Sequence, residues 1–398
     1  MSVRDSAGIR IVESAAPAWP DSAPGWRLSH TPRLEIGGAG AADFPFQQVH
    51  DATLLSDGRI IVGDGGARAL AYFAADGRHL RTAGRRGQGP GEFGGSLRFL
   101  ERMRGDTVLA PAATRSHWQV FDPSGEYIRQ VPVPTLAPAS EAGLSPWSPG
   151  AAWLPDGSAI LIRLAPVGQV AEGTTAWDSL VFIVPGAEME PGGRMAVAAQ
   201  DWVRGRNGRQ QQPYPEAGAF SAHDADHLYY SSGADPEVRV FQIRRDGEGV
   251  PVGLDLVRIM RRAWSPTRLT GSMLADLRTG YGTLWGRDTS ASGRWRFEQF
   301  DQLPHRSTLP VHGHMLADRA GNVWLPRFTP ALAAIYWPPD VAVTWDVYGA
   351  DGAWLGGVAM PARFWPFEIG QDWVLGLWRD EMDVEYVQLY GLIKEGTS

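Results

Sequence analysis

The stretch His50-Asp-Ala-Thr-Leu-Leu-Ser-Asp-Gly-Arg-Ile-Ile-Val-Gly-Asp64 continues, after a glycine-rich link, as Ala69-Leu-Ala-Tyr-Phe-Ala-Ala-Asp-Gly-Arg-His-Leu-Arg-Thr-Ala83. Short runs of Ile, Val, Tyr and Phe bounded by Asp-Gly pairs read as the strands of an antiparallel meander. Asp-Gly favours two left-handed residues in succession, so type I′ turns are expected, whose twist matches the flanking strands.

Related turns recur outward from this stretch at Asp57-Gly58, Gly105-Asp106, Asp156-Gly157, Ala225-Asp226, Ala320-Gly321 and Gln371-Asp372. Their first residues are 48, 51, 69, 95 and 51 positions apart. A period near fifty built from hairpins marks a propeller or repeat array. The second unit reads Leu97-Arg-Phe-Leu100, Thr107-Val-Leu-Ala110, Trp118-Gln-Val-Phe121 and Tyr127-Ile-Arg-Gln-Val131. The sixth, Phe364 to Tyr390, is one strand short, and an N-terminal run at about 32–36 (Arg33-Leu-Glu-Ile36) is free to complete it. Pairing the two ends closes a ring and removes exposed edges. The expectation is an all-β, six-bladed β-propeller, a single domain over residues 1–398.

The two long intervals call for insertions, at about 186–217 and about 258–308. The first, with Arg204-Gly-Arg-Asn-Gly-Arg-Gln-Gln-Gln-Pro213, reads as a polar loop. In the second, Ser265-Pro266 has the form of an N-cap followed by a first-position proline. Leu269, Met273, Leu277 and Tyr281 then form one apolar stripe, so a short helix is expected between blades four and five.

Composition narrows the function classes. A net charge of −7 argues against a nucleic-acid footprint. There is no cysteine, so disulfides, thiolate metal sites and cysteine catalysis are excluded. No run approaches the length of a membrane span, and the first residues lack the apolar core of a leader. A cytoplasmic protein is expected, peripheral to a membrane at most, or periplasmic or secreted where a leader has been removed.

The plan Asp-Gly-Arg-Ile-Ile-Val-x-Asp, with Gly87-Gln-Gly-Pro-Gly-Glu-Phe93, resembles NHL-type six-bladed propellers. The closing run from Phe367 to Val387, together with Asp5-Ser-Ala-Gly-Ile-Arg-Ile-Val-Glu13, resembles a bacterial six-bladed propeller family over essentially the whole chain. That resemblance implies the fold and no common activity. A leaderless propeller of this type is also similar to the membrane-extrinsic subunits of bacterial photosynthetic reaction-centre–light-harvesting complexes, which implies a membrane-bound protein partner.

Gly87–Phe93 lacks the Lys-Ser/Thr ending of a phosphate loop and leads into a strand, so no nucleotide cofactor is expected. His50, His223, His312 and His314 occupy early-blade positions and are the candidates to line a central channel. The innermost strands, taken as Leu97–Leu100 and Ala151–Leu154 among others, look poor in carboxylates, so neither a metal nor a catalytic set is expected. Trp264, Trp285, Arg287, Trp295, Arg296 and Trp337 sit in connections and have the composition of interface anchors. The leading expectation is therefore a non-enzymatic scaffold docking on a larger assembly. The competing one is a propeller hydrolase or lyase acting on a small molecule or glycan at the central channel.

Overall fold

In a computed structural model the chain is an all-β propeller with one helix. The structure describes residues 1–19, 25–38, 44–97, 99–110, 117–132, 144–145, 152–153, 159–163, 171, 175–183, 192–205, 208–210, 219–221, 226–249, 251–286, 300, 305, 307–329 and 338–394. Backbone alone is described for residue 117, for the strands between 132 and 221, and for 280–286.

Four N-terminal strands come first: β1 (Ser2–Ser6), β2 (Ile9–Ser14), β3 (Trp26–Leu28) and β4 (Leu34–Gly37). A first sheet follows from β5 (Val49–Leu54), β6 (Ile60–Asp64), β7 (Ala69–Phe73) and β8 (His79–Ala83). The second holds β9 (Glu101–Arg102), β10 (Val108–Ala110), β11 (His117–Phe121) and β12 (Tyr127–Pro132). The third holds β13 (Leu144–Ser145), β14 (Ala152–Trp153), β15 (Ala159–Arg163), β16 (Thr175–Ile183), β17 (Gly192–Gly205) and β18 (Gly208–Gln210). The fourth contains β19 (Ala219–Ser221), β20 (His227–Ser231), β21 (Glu237–Arg245) and β22 (Pro251–Arg262). Helix α1 (Gly271–Gly286) precedes a fifth sheet of β23 (Leu316–Ala317), β24 (Val323–Pro326), β25 (Val343–Tyr348) and β26 (Trp354–Met360). The last is β27 (Phe364–Ile369), β28 (Trp373–Arg379) and β29 (Glu385–Lys394). Five of these sheets are set out with their side chains, not the six blades expected, because the third is described in backbone alone.

The turns differ in type from the expectation. At 55–59, the Gly58 amide donates to the Leu55 carbonyl (3.1 Å) and the Leu55 amide to the Arg59 carbonyl (2.8 Å). Only Gly58 is left-handed (φ +86°), which makes a type I turn closed by a glycine bulge rather than type I′. The same bonds recur at 74–78, 122–126, 318–322 and 349–353. The reason is the aspartate: Asp57 Oδ1 accepts the Arg59 amide (3.1 Å), as Asp76 and Asp351 do in their turns, while Asp122 and Asp318 stand at the head of theirs and accept the amides two and four residues on. Two successive left-handed residues do occur at Gly105-Asp106 (φ +74° and +59°).

Sheets pack face to face. Leu55, Ile61 and Tyr72 of the first meet Phe93, Leu97 and Phe121 beside the second. Ile60, Val62 and Phe73 meet Leu375, Leu377 and Val387 of the last. Trp324, Trp345 and Val347 of the fifth meet Phe364 and Val374 of the last, and Val238, Val240 and Met260 meet Val323 and Tyr348. The terminal strands β19, β23, β27 and β5 touch one another in sequence, so they line the middle of the molecule.

The N-terminal segment runs round the outside as a belt. β2 pairs in parallel with β22, the Ala18 and Trp19 amides donate to the Trp354 and Leu355 carbonyls of β26, and β3 and β4 both pair antiparallel with β29. Trp26 lies between Trp19 (5.3 Å) and Trp324 (5.8 Å), tilted to both rings, and Nζ of Lys394, the only lysine, sits 4.0 Å from its ring centre.

The inserted helix starts later than Ser265-Pro266 implied. Residues 267–269 pair with 307–309, and Thr270 caps the helix through Oγ1, which accepts the Met273 amide (3.3 Å). Leu269, Met273 and Leu277 pack on Phe300, Leu309 and Phe328. Where the sequence read as a polar loop at 186–217, the chain carries β17 and β18.

Candidate active site

Three carboxyl-bearing side chains come from the central strands of three consecutive sheets: Glu368 on β27, Asp51 on β5 and Glu101 on β9. The innermost strand of the second sheet is Glu101–Arg102 and not Leu97–Leu100, which corrects the expectation of a centre poor in carboxylates. Leu97 and Leu100 are buried between sheets instead.

Each carboxyl is held differently. Asp51 Oδ1 accepts the Ala52 amide (2.8 Å) and Oδ2 the Leu100 amide (2.8 Å), tying the first sheet to the second. Glu368 Oε2 accepts Thr53 Oγ1 (3.0 Å) and the Leu54 amide (3.0 Å), while Oε1 accepts Arg319 Nε (3.0 Å) and Nη2. Arg319 also donates to the Leu54 carbonyl (2.9 Å) and lies 5.2 Å from the Trp373 ring centre. Glu101 accepts no hydrogen bond from any described residue.

The electrostatics follow from this placement. All three side chains are half-buried, and protein crowds Asp51 and Glu101 on every side. Loss of bulk water pushes the Asp51 carboxyl up to about 7; the Leu100 and Ala52 amides oppose this, and the charge of Glu368 adds to it. Burial, then Asp51 and Glu368, push the Glu101 carboxyl well above the usual range, with Arg102 in opposition. Beyond the cluster, Arg102 Nη1 reaches Asp106 Oδ1 (3.0 Å) and the Ser56 amide reaches Oδ2 (3.0 Å). Burial raises the Asp106 carboxyl, but the Ser56 bonds and the guanidinium groups of Arg102 and Arg319 leave it below the ordinary value. Among the described residues no group of three His, Cys, Asp or Glu is arranged to hold a metal ion.

Of the four histidines expected at the channel, three are described. His50 is half-buried and its Nε2 lies 3.2 Å from Ser96 Oγ. His312 is buried, with Nε2 2.7 Å from Ser231 Oγ, and burial lowers its ring to about 3. His314 packs against Trp345 (5.9 Å) and Trp365 (5.3 Å), and burial lowers it to about 4. His223 lies outside the described residues. Of the candidate anchors, Trp264 is half-buried and Trp285 is in the last turn of α1, where only backbone is described. Arg287, Trp295, Arg296 and Trp337 lie outside the described residues.

At the start of β5, away from the carboxyl cluster, a cleft of about 430 Å³ lies between Pro45–Gln48 and Asp383–Glu385. Glu385, one of its lining residues, forms a buried ion pair with Arg379, and its Oε2 also accepts the Val49 amide (2.7 Å). None of the three central carboxyls lines it.

No family model matches the chain. No curated protein matches it either. Among solved structures it is similar to a Bacteroides fragilis protein named as exported, with 10% identity over 96% of this chain and 99% of that one and a TM-score of 0.49. A gluconolactonase of Xanthomonas campestris has 14% identity over 95% and 98% of the two chains and a TM-score of 0.42. A virginiamycin B lyase of Staphylococcus aureus has 9% identity over 92% and 100%, with a TM-score of 0.40. Neither membership of the NHL family nor a place in a photosynthetic complex receives support from these likenesses. No helix among the described residues is long and apolar enough to cross a membrane.

Proposed function

We propose that the protein is an enzyme, a propeller hydrolase or lyase that acts by carboxyl acid–base chemistry on a small molecule or glycan at the middle of the ring. We take the six sheets as six blades of one domain, closed by β4 on β29. The observation that carries the reading is the convergence of Asp51, Glu101 and Glu368 from three blades, where burial and mutual repulsion raise Asp51 and Glu101 above the ordinary carboxylate range. An acid–base group is most useful when its affinity for the proton lies near the working pH, and neighbouring like charges in an enclosed site produce that. The earlier preference for a docking scaffold yields here, because it relied on a centre without carboxylates.

The test is turnover of a panel of lactones, esters, glycosides and activated C–O substrates by the wild type, Asp51→Asn and Glu101→Gln. Loss of about 10²–10⁴-fold in kcat on removing an acid–base carboxyl is the expected result. Turnover that neither substitution touches, or no turnover across the panel, refutes the proposal.

A further inference from the structure

We propose that Glu101 is the group that exchanges a proton with the substrate, and that Glu368, clamped by Arg319, is a positioning residue that holds the negative charge beside it. This rests on the enzyme reading above.

The hydrogen-bond inventory separates the three carboxyls. Glu368 receives four donors from two neighbouring blades: Thr53 Oγ1, the Leu54 amide, and Nε and Nη2 of Arg319. All four bonds use its oxygens as acceptors, so every contact that fixes Glu368 is made to a carboxylate oxygen. Asp51 has one backbone amide on each oxygen and serves as a strut between blades. Glu101 alone has both oxygens without a described partner, and its neighbour Arg102 is turned to Asp106. Among the described residues, the charged groups facing Glu101 are Asp51 from β5, Glu368 from β27 and Arg102 from its own strand. Two acids against one base favour a proton on Glu101, and it is the member free to give that proton away.

In the step this implies, the O–H bond of Glu101 breaks as its proton bonds to the leaving oxygen, whose bond to carbon breaks with the electron pair going to that oxygen. The resulting carboxylate takes a proton either from water as the water oxygen bonds to that carbon, in hydrolysis, or from the adjacent substrate carbon, whose C–H electron pair becomes the new double bond, in elimination. Protons and electron pairs balance without a further reactant.

Dicyclohexylcarbodiimide, which reacts with protonated and not ionised carboxyls, tests the assignment without knowledge of the substrate. Wild-type protein treated at pH 7.5 and digested for mass spectrometry should carry the adduct on Glu101 and not on Glu368. Glu368→Gln should lower the rate at Glu101 about tenfold for each pH unit by which its proton is held less tightly. The basic limb of the activity profile should move to lower pH in the same variant, which a merely structural role would not produce. If Glu368→Gln does not fold, the wild-type labelling pattern alone decides, since modification of Glu368 in preference to Glu101 overturns the proposal. Labelling as expected without turnover on any substrate sinks the enzyme reading instead. Turnover that needs Asp51 but survives Glu101→Gln overturns this assignment and leaves the enzyme reading standing.

Discussion

Replacing Asp346 by asparagine removes the one negative charge set between two guanidinium groups at the joint of the fourth and fifth sheets. Asp346 Oδ2 accepts Arg262 Nη2 (3.0 Å) from β22, and Oδ1 accepts Arg327 Nε (3.1 Å), Arg327 Nη2 (2.8 Å) and Trp354 Nε1 (3.1 Å). The carboxylate is 4% exposed, Arg262 12% and Arg327 47%, so the two pairs are not equal. Deleting one partner of a buried ion pair costs ~3–5 kcal/mol, because the other charge is left in low dielectric. The nearly half-exposed Arg327 keeps its water and adds only the ~0–1 kcal/mol of a surface pair. Asparagine retains one acceptor and the packing, which puts the expected loss near the lower bound, ~3 kcal/mol. Urea unfolding followed by tryptophan fluorescence should show the midpoint falling with the slope unchanged. A double-mutant cycle should find the coupling concentrated in Arg262→Met and nearly absent from Arg327→Met. A change below about 1 kcal/mol, the ordinary effect of a point mutation, or coupling larger for Arg327, refutes the account.

Glu101→Gln should be more stable than the wild type above neutral pH and equal to it in acid, measured by urea unfolding from pH 4 to 9. The folded-state affinity for the proton is raised, so the carboxyl's contribution is present below the unfolded value and is lost as pH rises through the folded one. Each pH unit across which only the wild type must release that proton is worth ~1.4 kcal/mol. His314→Phe keeps an aromatic ring against Trp345 and Trp365 but removes a base whose folded value, about 4, lies under the ordinary 6.5. Between those values the unfolded chain binds the extra proton, so wild-type stability is lost as pH falls, and the variant's pH slope should be lower there by ~1.4 kcal/mol per unit. An unchanged slope sinks that expectation. Trp26→Ala takes the centre out of the belt's aromatic cluster and should cost ~3–5 kcal/mol by thermal or urea unfolding. A loss under 1 kcal/mol there would mean that the belt adds little.

Much of the fold was legible because its signals are local. Asp57-Gly58 and Asp76-Gly77 announce hairpins wherever they stand, and their spacing announces repetition. The turn type was not legible, since the same dipeptide serves two geometries and the choice depends on Asp57 accepting the Arg59 amide. The belt was invisible for a different reason. β2 pairs with β22, with 248 positions between Arg10 and Arg258, and a parallel pairing of distant segments leaves no turn and no period behind. Arg33-Leu-Glu-Ile36 was visible only because the last sheet was one strand short.

The site was hidden by a two-residue strand. Leu97-Arg-Phe-Leu100 has the look of a central strand and Glu101-Arg102 does not, so a β-pattern reading places the wrong residues in the middle. Asp51 and Glu368 stood in recognised strands, but only the arrangement of the sheets brings residues 315 or more positions apart, such as Thr53 and Glu368, within hydrogen-bond reach. The resulting arrangement is costly for the fold. Ionised Glu101 has no donor among the described residues, and the carboxylates of Asp51 and Glu368 raise the free energy of its charged form. Glu368 and Asp51 fasten blades together; among the described residues Glu101 makes no such bond. A side chain that strains local rules without a structural return is where chemistry is to be sought, and in this ring that side chain is Glu101.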